Sequence, residues 1–448
     1  MKSKSKETFS ETNLLTNELP KGWKRKTLLD VSGGEPSLIV GGPFGSSLQV
    51  KDYKNEGIPI IRLQNIGKLK FIEKDIKFIS IEKAKELEYH TFIKGDLVLA
   101  KLGEPIGKTC IIPDKFDRGI VVSDVVRIRL QNENIDKKFL LYYLNSPLCL
   151  SQINAQVFGS TRPRVNLKEI RDLSILIPPL AEQHRIVARV EALLSQINTA
   201  RDWLNRVPLI MKRFRQAVLA AACSGRLTEG WREGQGIIQE ISWKSFKLED
   251  IGKWGTGGTP SRKNSSFFDG EIPWIKSGDL NDGVVFNPEE KISEEGLNCS
   301  NAKLLPIGTI SIALYGATIG KVGILGIKAA TNQACANCIV NNDEILNKYL
   351  FYYLIQQKQN FIDIGQGGAQ PNLTNKIVHQ WPIYLPPLSE QHEIVQHVDA
   401  LFALADQIEH QVAGATKHTE ALTQAVLAKA FRGELVATEA ELSQKELA

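Results

Sequence analysis

The chain has 448 residues, of which 42% are hydrophobic and 23% charged, with a formal net charge of +5. That is longer than one ordinary domain and has the balance of a soluble globular protein. No run of about 20 apolar residues occurs, which excludes a spanning helix. The six cysteines (Cys110, Cys149, Cys223, Cys299, Cys335 and Cys338) are scattered, and no secretory signal precedes them, so a reduced, cytoplasmic setting is expected.

Residues 1–18 are polar and are expected to form a disordered tail. A mixed α/β unit follows over 19–179. Its β-rich runs are Ile58–Leu63, Asp96–Ala100, Ile120–Leu130 and Ile175–Ile177, with a short helix carrying Tyr142 and Tyr143 after the middle strands. Residues 1–180 carry a net charge of +8, which fits contact with a polyanion and equally fits an ordinary solvated surface.

From Pro178-Pro179 onward, apolar or small residues recur at steps of four and three: Ile186, Val190, Leu193, Ile197, Ala200, Leu204, Val207, Met211, Phe214, Val218 and Ala221. This is a heptad seam, and it predicts a long helix within 180–236 that needs a partner. Pro208 lies inside the seam and is expected to kink or split the helix. Gly225 fits its C-cap.

The second half repeats the first. A second mixed α/β unit is expected over 237–387, with strands at Ile272–Ile275, Thr309–Ala313 and Ile383–Leu385. A second helix is expected over 388–436, capped by Gly433, with a tail over 437–448. Its seam runs through Ile394, Val398, Leu401, Ala405, Ile408, Val412, Ala415, Thr419, Leu422 and Val426. Pro-Pro-Leu-Ala-Glu-Gln-His at 178–184 matches Pro-Pro-Leu-Ser-Glu-Gln-His at 386–392, and 11 of 17 positions from there are identical at an offset of 208. The same offset holds at 214–227 against 422–435, with 8 of 14 identical and no gap between, so the two helices have equal length. The fold class expected is therefore α/β (α+β): two similar target-facing domains separated by two long antiparallel coiled-coil helices, with an internal pseudo-two-fold repeat. A seam of 36 residues spans about 54 Å at 1.5 Å per residue, a length suited to a ruler between successive faces of B-DNA, about 34 Å apart.

Several catalytic motifs fail on inspection. Gly103-Glu-Pro-Ile-Gly107-Lys108 and Gly316-Ala-Thr-Ile-Gly320-Lys321 have three residues between glycines where a Walker loop needs four. Turns offering Lys108 and Lys321 to phosphate, or merely structural turns, remain the alternatives. Cys335-Ala-Asn-Cys338 has zinc spacing without a second pair and is expected in the core. The Pro-Pro pairs lack the polar and aromatic members of an amino-methyltransferase signature. A non-catalytic reader is expected, with no metal and no cofactor of its own. The alternatives are a self-contained methyltransferase or restriction enzyme and a coiled-coil scaffold unrelated to DNA.

Leu19-Pro-Lys-Gly-Trp23, the two Pro-Pro-Leu-x-Glu-Gln-His helix starts, Arg213–Leu219, Gln424–Leu435 and Gly225-Arg-Leu-Thr228 together resemble the specificity subunit of Type I restriction-modification systems, over about residues 19–436. The resemblance implies that each globular unit is a target-recognition domain reading half of a bipartite, asymmetric sequence in double-stranded DNA, the first unit the 5′ half. It implies that the helices set the gap and seat two modification (methyltransferase) subunits, and that restriction subunits join them. S-adenosylmethionine, ATP and Mg would act in those partners, in the cytoplasm and away from any membrane.

Base readout needs paired donors and acceptors, and phosphate contact needs cations or small polar groups. The DNA-binding candidates in the first domain are Ser46, Ser47, Lys51, Tyr53, Arg62, Gln64, Asn65, Lys101, Lys108, Thr161, Arg162 and Arg164. In the second they are Thr259, Ser261, Arg262, Lys263, Lys276, Ser277, Asp279, Tyr315, Lys321, Gln366, Gln370 and Asn372. Arg162 and Arg164 flank a proline that stiffens their loop, and Arg is the commonest reader of guanine. Replacing Arg162 with Ala weakens specific binding by about 1–3 kcal/mol if it is bidentate to a base; unchanged affinity and footprint in a titration would remove it.

Overall fold

The structure is a computed structural model and describes residues 19–157, 163–365 and 372–446. The tail expected over 1–18 lies outside the described residues. Two compact units form: residues 1–204 with 414–448, and residues 205–413.

The first unit holds ten strands: β1 (Lys24–Thr27), β2 (Ile39–Gly41), β3 (Ile58–Ile61), β4 (Lys77–Ile79), β5 (Thr91–Ile93), β6 (Leu97–Ala100), β7 (Thr109–Ile111), β8 (Arg118–Val121), β9 (Val125–Ile128) and β10 (Ser174–Ile177). They form sheets β2-β9-β6-β7 and β4-β3-β8-β5, plus the antiparallel pair β1-β10. The second unit repeats this with β11 (Lys244–Lys247), β12 (Gly252–Thr256), β13 (Ile272–Ile275), β14 (Gly283–Val285), β15 (Glu290–Ile292), β16 (Ile310–Ala313), β17 (Val322–Leu325), β18 (Ala330–Thr331), β19 (Cys335–Val340) and β20 (Pro382–Leu385). Its sheets are β12-β19-β16-β17-β14 and β15-β13-β18, with the pair β11-β20. The repeat shares a parallel contact, Ile60 beside Ile120 in the first unit and Trp274 beside Ala330 in the second, and the second unit adds another between β14 and β17. The run expected as one strand over Ile120–Leu130 is two. A turn at Val122–Asp124, closed by Val125 N donating to Val122 O at 2.9 Å, sends β8 and β9 into different sheets.

Both long helices have 44 residues, Leu180–Cys223 and Leu388–Phe431. The equal length expected from the ungapped repeat is observed, and so are the caps, since Gly225 and Gly433 take left-handed φ of +77° and +76° just past the two ends. The first helix is not split at Pro208. A proline removes one backbone hydrogen bond, but seam residues on either side, Val207 and Met211, stay half-buried and carry the helix across.

Within each unit the start of one helix runs antiparallel to the end of the other. In the second unit Arg215 pairs with Glu409 at 2.9 Å, while further along Thr228 Oγ1 donates to Glu390 Oε1 at 2.7 Å. In the first unit Arg185 pairs with Glu439 at 2.7 Å, and Leu194 and Asn198 share a cavity wall with Thr423 and Gln424. Ile186, Val190, Ile394 and Val398 are fully buried, as the seam requires, whereas Leu422 is 52% exposed.

The helix starts are closed by matching clamps. The Trp23 indole Nε1 donates to Glu182 Oε1 at 2.8 Å, and that of Trp243 to Glu390 Oε2 at 2.9 Å. The next residue ties the helix to the loop before the tyrosine helix. Gln183 accepts from Asp136 N and donates to Asn134 O, and Gln391 accepts from Leu346 N and donates to Glu344 O. The tyrosine helices, Lys137–Leu144 and Asn347–Gln356, hold the sheets in turn: Tyr143 donates to Ser174 O at 3.0 Å and Tyr349 to Tyr384 O at 3.1 Å.

Glu390 is fully buried and carries an ion pair with Arg232, whose side chain is 6% exposed. Removing one partner of such a pair strands a buried charge and costs about 3–5 kcal/mol. Arg232→Ala should therefore destabilise the fold by that amount in a denaturant titration. Arg185→Ala, which breaks a pair about one-third exposed at both ends, should cost about 1 kcal/mol or less. Equal losses for the two variants would contradict this account.

Candidate DNA interface

In the first domain the loop after β2 folds into two short turns, Gly45–Ser47 and Val50–Asp52. Beside them lie the turn Leu63–Asn65 that ends β3 and the Val122–Asp124 turn. These walls enclose a cavity of about 290 Å³ lined by Tyr53, Arg62, Gln64, Ser123 and Asp124. A neighbouring cavity of about 520 Å³ shares Gly45, Ser123 and Asp124 and adds Phe44, Lys101 and Arg164. Five of the candidates thus meet on one face.

The individual side chains differ in what they can do. Ser46, Ser47, Lys51 and Arg164 are exposed, and Tyr53 is half-buried. Lys101 is 7% exposed, and its Nζ sits 4.4 Å from the Phe44 ring centroid. Burial pushes its pKa below the ordinary lysine value, nearby Asp124 opposes that shift, and Arg164 adds to it. Asn65 is fully buried. Its Oδ1 accepts from Arg62 N at 3.0 Å and its Nδ2 donates to Ile72 O and Lys74 O, each at 3.0 Å. Its amide is committed to shaping the turn that carries Arg62. Lys108 is half-buried at the end of the Gly103–Gly107 turn, which Gly107 N closes onto Ala100 O at 2.9 Å. Thr161 and Arg162 lie outside the described residues. The strand-like bridge between Leu102 and Arg164 sets Arg164 against the same turn.

The second domain has the same frame. The bridge between Tyr315 and Asn372 matches that of Leu102 and Arg164. Thr259 donates to Gln333, which lies in the turn between β18 and β19. Arg262 stacks 4.1 Å from the Phe268 centroid and pairs with Glu290 at 2.8 Å. Lys276 pairs with the same Glu290 at 2.9 Å, and Asp279 caps its turn by accepting from Lys276 N at 2.7 Å. Ser261 and Lys263 are exposed, Ser277 and Lys321 half-buried. Gln366 and Gln370 lie outside the described residues. Cys335 and Cys338 are buried on β19, with burial pushing each thiol up to about 12.

Some lining residues escape the sequence reading. Phe44, 68% exposed, is one; Ser123 and Asp124 are others. In the second domain a cavity of about 540 Å³ is lined by Lys253, Trp254, Asn301, Lys303, Gln333 and Asn337. An aromatic set between glycines, as in Gly42-Pro-Phe44-Gly45, is the one signal that pointed to any of them.

The model of the Type I restriction modification DNA specificity domain matches residues 20–207 and 240–413, most of the chain. The chain belongs to that family. It is a DNA-recognition chain and not a catalytic one. It is 28% identical over 438 residues to the specificity subunit of the Type I restriction enzyme EcoKI from Escherichia coli K12, covering 94% of this chain and 90% of that one. It is 33% identical over 332 residues to the EcoBI specificity subunit of Escherichia coli, covering 70% and 69%. The fold is that of the HsdS subunit from Thermoanaerobacter tengcongensis, with TM-score 0.56 and 20% identity over 93% of this chain and 98% of that one. It is also that of a chain from a structure of type I R-M system assembly, with TM-score 0.68 and 20% identity over 93% and 100%.

The lowered pKa of Lys101 has a consequence for pH. Its charge is lost at lower pH than that of an exposed lysine, so any phosphate contact it makes fades before those of exposed lysines as pH rises. DNA affinity of the native chain should therefore fall earlier in an alkaline titration than that of Lys101→Arg, which stays charged. Identical pH profiles for the two would exclude Lys101 from the interface.

Proposed function

We propose that this specificity subunit reads one bipartite, asymmetric target in double-stranded DNA, the first domain taking the 5′ half and the second the 3′ half. The long helices set the spacing between the halves and seat two modification subunits, and restriction subunits join that core. S-adenosylmethionine is bound by the modification subunits, and ATP and Mg by the restriction subunits. This chain supplies the address. The assembly works in the cytoplasm; no described helix is long and apolar enough to cross a membrane.

The observation that carries the reading is a repeated frame with a changed face. The strand order β2-β9-β6-β7 recurs as β12-β19-β16-β17, and the helix-start clamp and the tyrosine helix recur in both halves. The cavity-lining side chains do not recur: Phe44, Lys101 and Arg164 line one, Trp254, Lys303 and Gln333 the other. A frame kept rigid while its polar loops vary is the arrangement expected of a reader of two unlike half-sites.

Co-expression with the cognate modification subunit, followed by methylation sequencing of host DNA, should give one split motif carrying N6-methyladenine. The motif should vanish when this chain is omitted. A stable complex with no new motif would contradict the reading role, and no complex at all would contradict the scaffolding role.

A further inference from the structure

In both domains the first residue past the central Ile-Pro strand is a cation, Arg62 after β3 and Lys276 after β13. Its turn is capped three residues on, by Asn65 and by Asp279. In both, a carboxylate from the antiparallel neighbour strand reaches back to that cation. Asp75, just ahead of β4, places Oδ2 2.9 Å from Arg62 Nη2. Glu290, the first residue of β15, places Oε1 2.9 Å from Lys276 Nζ. The two acids are not equivalent positions. Opposite β3 the strand partner of Ile60 is Lys77, two residues past Asp75, whereas Glu290 itself partners Trp274. The domains have met one requirement with different residues.

Each carboxylate also gathers further donors. Asp75 Oδ2 accepts from Gln64 Nε2 at 3.3 Å, and its Oδ1 lies 2.8 Å from Lys77 Nζ. Glu290 Oε2 holds Arg262 at 2.8 Å. Asp75 adopts a left-handed φ of +53° to do this, a conformation uncommon outside glycine and better tolerated by Asp and Asn. The side chain of Asp75 is 50% exposed, and ion pairs in such settings add little stability. Its contribution is orientation: long donor side chains are held in one geometry before DNA arrives, which removes the entropy of ordering them. An Arg held through one nitrogen still has other donors for a base edge. The carboxylate also screens that cation from indiscriminate attraction to phosphate.

Resting on the DNA-reading role above, we propose that Asp75 and Glu290 are positioning residues for sequence discrimination. Each orders the readout donors of its own domain, and neither contacts the base itself.

The test uses the full chain with its modification subunits. Asp75→Asn and Glu290→Gln keep size and remove charge. Methylation sequencing should show Asp75→Asn relaxing base preference in the first half of the split motif only, and Glu290→Gln in the second half only. Discrimination at the affected half should fall about tenfold, the effect of freeing one or two long side chains. Binding to non-target duplex should tighten, with a salt slope steeper by about one. A split motif left unchanged by both variants overturns the positioning role while leaving the reading role intact. Loss of both halves at once by either variant marks a folding effect and also overturns it. No split motif from the unaltered chain overturns the reading role itself and this inference with it.

Discussion

A buried carboxylate at the third position of each long helix organises the rest of this molecule. Glu182 and Glu390 are fully buried, and a carboxylate removed from water is tolerated only when its lone pairs are filled. The donors that fill them come from two separate parts of the chain. One is the tryptophan that opens the domain. The other arrives from beyond the end of the other helix: the backbone N of Glu439 at 3.1 Å from Glu182, and the Thr228 hydroxyl and Arg232 guanidinium on Glu390. The dipole at the helix start also favours a negative charge there. The start of a domain, the start of one helix and the exit of the other are therefore fixed at a single point in each unit. Phe431 shows the same dependence in the apolar core, wedged edge-on against Phe139 and Tyr143 with centroids 5.4 and 4.9 Å away.

This explains why the helices were legible in the sequence and their middles less so. The Pro-Pro-Leu-x-Glu-Gln-His start, the glycine ends and the ungapped offset each follow from local chemistry, and the structure has two 44-residue helices with those caps. The heptad seam predicted burial evenly along its length. Burial is instead concentrated near the clamps, and Ala200 and Leu422 are exposed. A periodic pattern reports which face looks inward; it does not report how closely the neighbour approaches. Pro208 does not split the helix for a related reason, because the cost of one missing hydrogen bond is weighed against packing that periodicity alone does not measure.

The reading faces were only partly legible. Of the polar-loop candidates, Tyr53, Arg62, Gln64, Lys101 and Arg164 converge on one face. Residue type alone did not separate Gln64, which lines the groove, from Asn65 beside it, whose amide is spent on two backbone carbonyls and one backbone N–H. Nor did it show that Arg62 and Lys276 arrive already paired, since their partners lie 13 and 14 residues away and meet them only when the neighbouring strand forms.

The two domains also differ in how they can hold DNA. The first carries a net +8 over residues 1–180, while the second, residues 237–387, carries −1, with 13 Lys+Arg against 14 Asp+Glu. In the second, two of the candidate cations, Arg262 and Lys276, converge on Glu290, and Lys276 meets Glu289 as well at 3.2 Å. Attraction to phosphate scales with the cations free to displace counterions. The first domain is thus equipped to supply much of the charge-driven affinity. A cavity of the second domain sets Asn301 and Gln333 beside Lys253 and Lys303, while Asn337 in its wall is buried and its amide is spent on Ser311 and Thr331. A chain that divides the work this way can vary the base preference of its second domain with little change in its overall hold on the duplex.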